Sequence, residues 1–215
     1  MASPAPQPTL GRRERRKREM RDRVLETARE LFARQGVEAT RVQEICDRAD
    51  IAEKTFFNHF PSKRHLMRAL ANEGVGELIE DIETVRKQTN STAERIRLFF
   101  EQVCENMEQA GPMQREVLTE MVHVAHEGGT EHEQARRLHE GFGRLITDGL
   151  DRGDLTEAHP PKTLTDMLMG AFYVLMFNWA NLDGYPLREN AEATAGFLTD
   201  SMTRRTASGP QDIQL

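Results

Sequence analysis

Apolar residues along this chain recur at spacings of three and four, and no segment alternates strictly between apolar and polar positions, a pattern that predicts helices throughout. From about Arg12 to Gln35, the residues Val24, Leu25, Ala28, Leu31 and Phe32 make one buried stripe, and Gly36 supplies a stop. Thr40, with Gln43 three residues on, has capping-box spacing, and Val42, Ile45, Cys46 and Ala49 follow as the inner face of a two-turn helix. Ala49, Asp50 and Ile51 fit a short turn with Ile51 as its buried plug. A second short helix runs from Ala52 to about His59, with Phe56 and the following Phe60 facing inward. Pro61 and Ser62 end it, and Ser62 caps a long helix to about Gln88 whose apolar positions are Leu66, Met67, Leu70, Val75, Leu78, Ile79, Ile82 and Val85. Gly74 and Gly76 interrupt that helix, each costing up to about 1 kcal/mol relative to Ala, and predict a bend. Two short helices joined by so tight a turn suggest a helix-turn-helix whose second helix reads the DNA major groove.

Five further helices are expected, over residues 91–110, 113–127, 131–151, 161–182 and 187–206. The breaks between them are Gly111-Pro112, Gly128-Gly129, Arg152-Gly153-Asp154 and Asp183-Gly184-Tyr185-Pro186. The class is therefore all-α, about nine helices: a disordered tail (1–11), a three-helix DNA-binding domain (12–68), a helical bundle for ligand binding and dimerisation (69–206) and a frayed end (207–215).

Charge divides the chain at the same place. The net of −6 conceals 16 Lys/Arg against 10 Asp/Glu over residues 1–68, a net of +6, and 13 against 25 over residues 69–215, a net of −12. A basic front on an acidic body directs one end alone toward a polyanion. Arg12, Arg13 and Arg16 lie in the densest basic run and are expected on phosphates or in the minor groove. No run of about eighteen apolar residues predicts a membrane span, and no apolar segment near the N-terminus reads as a signal peptide, so a cytoplasmic location is expected. Cys46 and Cys104 each sit on an apolar helix face and read as buried thiols.

The run Thr55-Phe56-Phe57-Asn58-His59-Phe60-Pro61-Ser62-Lys63, preceded by Ala28-Arg29-Glu30-Leu31-Phe32, Gly36 and Ala39-Thr40, resembles the DNA-binding domain of the TetR family of bacterial transcriptional regulators. The likeness covers residues 20–70. Three positions depart from the family pattern: Asp50 where Gly is usual, Ala52 where Ser is usual, and Phe57 where Tyr is usual. The family tyrosine carries its hydroxyl to a phosphate, which Phe57 lacks. Ala52 removes a cap from the recognition helix, and Asp50 is expected to replace it. The resemblance implies a homodimeric repressor on a near-palindromic operator. Lys54, Thr55, Asn58 and His59 would meet bases or phosphates, while Phe57, Thr40, Arg41 and Lys63 would help to position the protein.

The resemblance also implies an inducer pocket in the bundle. Its expected lining is Phe99, Phe100, Val103, Met107, Met121, Phe142, Phe172, Tyr173, Met176 and Trp179, which suits a small hydrophobic effector. Tyr173, Asn178, His123 and Arg144 are candidates for its polar end. The helix carrying Met167 to Trp179 is apolar nearly all round, so it should face both the bundle and a partner subunit. With the last helix, which holds Ala191, Ala193, Ala195, Gly196, Phe197 and Leu198, it forms the expected dimer surface. His123, His126, Glu127, His132, Glu133 and His139 could instead mark a metal site, making the protein a metal-responsive regulator. Their spacing matches no zinc motif, so a polar helix end is the favoured reading and no metal or cofactor is expected. No phosphate loop, nucleophile elbow or paired CxxC points to an enzyme.

Overall fold

The computed structural model describes residues 11–124 and 131–203; the expected tails, except for Gly11, and the Gly128-Gly129 break lie outside these. Nine helices and one isolated antiparallel bridge account for the ordered elements among the described residues. The helices are α1 (Arg12–Gln35), α2 (Val42–Ala49), α3 (Glu53–His59), α4 (Lys63–Gln88), α5 (Thr92–Glu108), α6 (Pro112–Val124), α7 (Glu131–Arg152), α8 (Pro161–Asn181) and α9 (Leu187–Met202). None is long and apolar enough to cross a membrane. Contacts divide the chain into a head, through Leu70 together with Gly111–Met113, and a body, Ala71–Ala110 with Gln114 onward. α4 is one unbroken helix across the boundary at residue 70, and it carries straight through Gly74 and Gly76, beside which nothing approaches within 4 Å.

The head is held by its apolar faces. Val24, Leu25, Ala28, Leu31 and Phe32 of α1 are buried, as are Ile45, Cys46 and Ala49 of α2, Phe56 of α3, Phe60, and Leu66 and Leu70 of α4. α2 begins differently from the capping-box expectation. Arg41, not Thr40, is its N-cap, and no side chain caps it. Thr40 is only 1% exposed, and its hydroxyl donates to the Gly36 carbonyl at 2.7 Å, closing the α1–α2 loop instead. α2 ends in a Schellman arrangement: the Ile51 N–H donates to the Cys46 carbonyl and the Asp50 N–H to the Asp47 carbonyl. That motif needs a left-handed residue, and Asp50 takes φ 53°, ψ 56°. Asp50 therefore terminates α2 rather than capping α3, whose N-cap is Ala52 with no side-chain bond. Ile51 is only half-buried.

In the body, α5 packs on α9 and α7, and α8 packs on α7 and α9. Leu155 and Thr203 form the single bridge, tying the α7–α8 connection to the end of α9. Ser91 caps α5 by accepting from the Glu94 N–H, and the Asp154 carboxylate accepts from both the backbone N–H and the hydroxyl of Thr92. Gly149 admits this approach, since a Cβ there would meet the Thr92 hydroxyl oxygen at 2.4 Å.

An ionic knot joins α4, α5 and α7. The Arg86 guanidinium donates to both oxygens of Asp148, at 2.9 and 3.0 Å, and to Glu83 at 2.6 Å. Arg95, only 4% exposed, donates to Asp148 at 3.1 Å and to the Thr89 carbonyl at 2.7 Å. Glu83 also accepts from Arg144. The hydrogen bonds from Arg86 hold the Asp148 carboxyl below the usual range for aspartate, while burial pushes Arg95 down. Asp148→Asn leaves the Arg86 and Arg95 cations without their shared anion and should destabilise the fold by roughly 2–4 kcal/mol in urea denaturation at neutral pH. Because the folded-state pKa is the lower one, this stabilisation is complete above the ordinary aspartate value of about 3.9 and is lost as pH falls through the depressed value. The gap between wild type and Asp148→Asn should therefore be constant at neutral pH and close only below about pH 4.

Candidate functional site

The exposed face of α3 carries Glu53, Lys54, Phe57 and Asn58; Thr55 and His59 lie half-buried at its flanks. Phe56 and Phe60, buried with ring centroids 5.7 Å apart, fix the opposite face. α1 reaches the C-terminal end of α3. Arg21 lays its guanidinium over the Phe60 ring at 4.8 Å from the centroid, and Lys17 and Arg21 are close enough to His59 to affect its titration. Burial first, and then these two cations, lower the His59 pKa, so the imidazole is neutral at neutral pH. Arg12, Arg13 and Arg16 are exposed along the first turns of α1, and Arg41 is exposed at the start of α2. Sequence reasoning missed Lys17 and Arg21 as neighbours of the recognition helix. The signal was their place one to two turns beyond the noticed arginine run, on the same helix.

Two sequence-predicted contacts are placed otherwise. Thr40 has its hydroxyl committed inside the head, which removes it from a DNA-facing role in this conformation. Lys63, the first residue of α4, turns its ammonium onto the carbonyls of Val37 (2.7 Å), Thr40 (3.3 Å) and Glu38 (3.4 Å). It fastens the α1–α2 loop to the start of α4, so its first effect is on head geometry.

In the body, five of the expected pocket-lining rings form one chain of contacts. Phe99 meets Phe100, Phe142 and Phe172 at 5.5, 5.2 and 5.7 Å; Phe142 meets Phe172 at 6.0 Å; and Phe172 meets Tyr173 at 5.8 Å. Val103 and Met176 are buried in the same core, and Met107 packs partly against it. Trp179 lies beneath the Arg115 guanidinium, 4.9 Å from the ring centroid. Burial raises the Tyr173 pKa, so its hydroxyl stays neutral. Phe100 also borders a cavity of about 350 Å³ between α5 and α9, with Arg97, Cys104 and Arg188 among its walls. Arg144, a candidate polar contact, is instead bound to Glu83. The side chains of Met121, His123, His126 and His132 lie outside the described residues. Among the described residues no group of three or more His, Cys, Asp or Glu side chains is arranged for a metal ion.

Residues 24–70 match the family described as bacterial regulatory proteins, tetR family. The HTH-type transcriptional repressor KstR of Rhodococcus jostii is 32% identical over 136 residues, covering 61% of each chain, so this chain spans less than two thirds of that relative. The fold is similar to that of FadR from Bacillus subtilis, solved in complex with stearoyl-CoA, with a TM-score of 0.65 at 17% identity over 83% of this chain and 97% of that one. It is also similar to Thermus thermophilus FadR in complex with lauroyl-CoA, with a TM-score of 0.64 at 23% identity over 89% and 99%.

The two devices that shape the head can be separated by stability. Asp50→Ala keeps a Cβ in the left-handed region without the local polar side chain and should cost roughly 1 kcal/mol, whereas Asp50→Gly should stay within about 0.5 kcal/mol of wild type. Lys63→Met leaves three carbonyls without their cation and should cost about 1–2 kcal/mol. Thermal unfolding of each variant checks the ranking.

Proposed function

This chain belongs to the TetR family of bacterial regulatory proteins, and we propose that it acts as a homodimeric transcriptional repressor released from its operator by a small hydrophobic effector. The observation that carries this reading is α3: a short helix pinned by two buried rings, with Lys54 and Asn58 facing outward and the cations of α1 beside it. Backbone phosphates would be met by Arg12, Arg13, Arg16, Arg41 and Lys54, which supply affinity without sequence preference. Asn58 would read a base edge, its carboxamide being suited to adenine. His59, neutral and half-buried, offers a second polar contact at the end of the helix.

The dimer is supported by apolar surface that a monomer would leave in water. Val174 of α8 is 59% exposed and Phe197 of α9 is 71% exposed, with Met167 and Phe177 also outward. Met167, Val174 and Phe177 fall on one side of α8, and Gly170 and Gly196 have open space beside them that a partner's backbone could approach. A twofold pair would present two α3 helices to successive major grooves, about 34–36 Å apart, and so require an inverted repeat. The effector reading rests on the Phe99–Phe142–Phe172 cluster and on the two fold relatives solved with acyl-CoA thioesters. A ligand with a long apolar chain fits that chemistry. It would act through higher affinity for the conformation that does not bind operator, and a hundredfold release needs about 2.7 kcal/mol of coupling. α4, shared by head and body, is the element suited to carry the difference.

Selection from random duplex DNA with the purified protein should enrich an inverted repeat. Salt-sensitive retention without an enriched motif would sink the repressor reading. On the selected site, Arg16→Ala should weaken all sequences alike and reduce the salt slope by about one, whereas Asn58→Ala should relax preference at one position per half-site. Val174→Glu should yield a monomer in sedimentation; an unchanged dimer would remove α8 from the interface.

A further inference from the structure

Phe57 is the odd member of the exposed face of α3. Glu53, Lys54 and Asn58 share that face, yet Phe57 leaves 46% of its surface in water among them. Its direction is fixed rather than free. The ring stands edge-on to the buried Phe56, with centroids 5.4 Å apart and planes at 87°. A phenyl group has neither donor nor acceptor, so it can make no hydrogen bond to a phosphate. Base edges in the major groove present one apolar group, the 5-methyl of thymine, and aromatic side chains are among the residues that contact it.

We propose that Phe57 is a specificity-determining residue that reads a thymine methyl group in each operator half-site. Asn58, the next residue on the exposed face, is chemically matched to adenine in the same groove, so the two together favour an A·T pair or an A/T step at this point of the site. The proposal rests on the operator-binding reading of α3 and assigns one base-specific contact within it.

The test uses the full-length protein and an operator obtained by selection. Each thymine is replaced singly by deoxyuridine, which removes the methyl and keeps every hydrogen-bonding group. One symmetry-related position should lose about fourfold in affinity per half-site, the worth of one buried methyl-sized group. In Phe57→Ala, thymine and deoxyuridine at that position should bind equally. Phe57→Leu, which keeps apolar surface and disturbs α3 less, should retain part of the discrimination. The salt slope should stay unchanged in both variants, since no phosphate contact is lost. The proposal is overturned if no thymine is sensitive to loss of its methyl. It is equally overturned if both variants discriminate as wild type does, or if they weaken every sequence alike while discrimination persists, which would place the ring on the sugar-phosphate backbone. Failure to enrich any motif would instead remove the operator reading itself, so the two failures are distinguishable.

Discussion

The burial of Phe56 and Phe60 is the constraint on which the DNA-facing surface depends. Seven residues cannot sustain an α-helix alone, because nucleation outweighs the few hydrogen bonds that so short a segment gains. α3 also lacks a side-chain cap. Its helical state therefore rests on two aromatic side chains held in the apolar centre of the head, each contributing roughly 1.5–3 kcal/mol of burial. The same anchoring sets which residues face outward. With Phe56 and Phe60 inside, helical geometry leaves Lys54, Phe57 and Asn58 no choice of side. The Arg21 guanidinium over Phe60 couples this core to the basic helix α1, so cationic surface and reading surface are fixed by one set of contacts.

α4 has polar anchors near both ends, of opposite kinds. At its start Lys63 gives a cation to three loop carbonyls, and near its end Arg86 meets the carboxylates of Asp148 and Glu83. The second anchor is substantially desolvated, and its ions are tolerable only because each has an opposite charge in hydrogen-bonding range. Such a knot permits few alternative arrangements, since every partial opening leaves a charge unpaired. A helix shared by two compact units and secured in this way is suited to pass on a discrete change rather than a graded one.

α8 shows how one segment serves two surfaces. Leu168, Phe172, Leu175, Met176 and Trp179 are buried in the body, while Met167, Val174 and Phe177 are exposed. Apolarity all round a helix requires two apolar environments, and a single chain supplies only one of them. The neighbouring Phe197 on α9 extends the uncovered area.

The sequence by itself determined most of the element order, because three-and-four spacing and the Gly and Pro breaks are local properties of the chain. α1, α4 and α7 end within a residue of where their patterns stop, and the Phe56 and Phe60 positions followed from the same periodicity. Charge contrast between the two ends was likewise legible without coordinates. What only the tertiary structure decided concerns groups with more than one local use. Thr40 has cap-like spacing, yet its hydroxyl reaches back to Gly36 because the loop brings that carbonyl within range. Asp50 could cap the helix after it or close the helix before it, and the backbone turn required a left-handed residue there. Lys63 and Arg144 read as available cations until distant carbonyls and Glu83 claimed them. Asp148 gave no sign of its place between Arg86 and Arg95, which lie 62 and 53 residues away. Periodicity records which side of a helix is apolar; it carries no information about which remote charge a polar side chain will meet, and that pairing arises only when the helices pack.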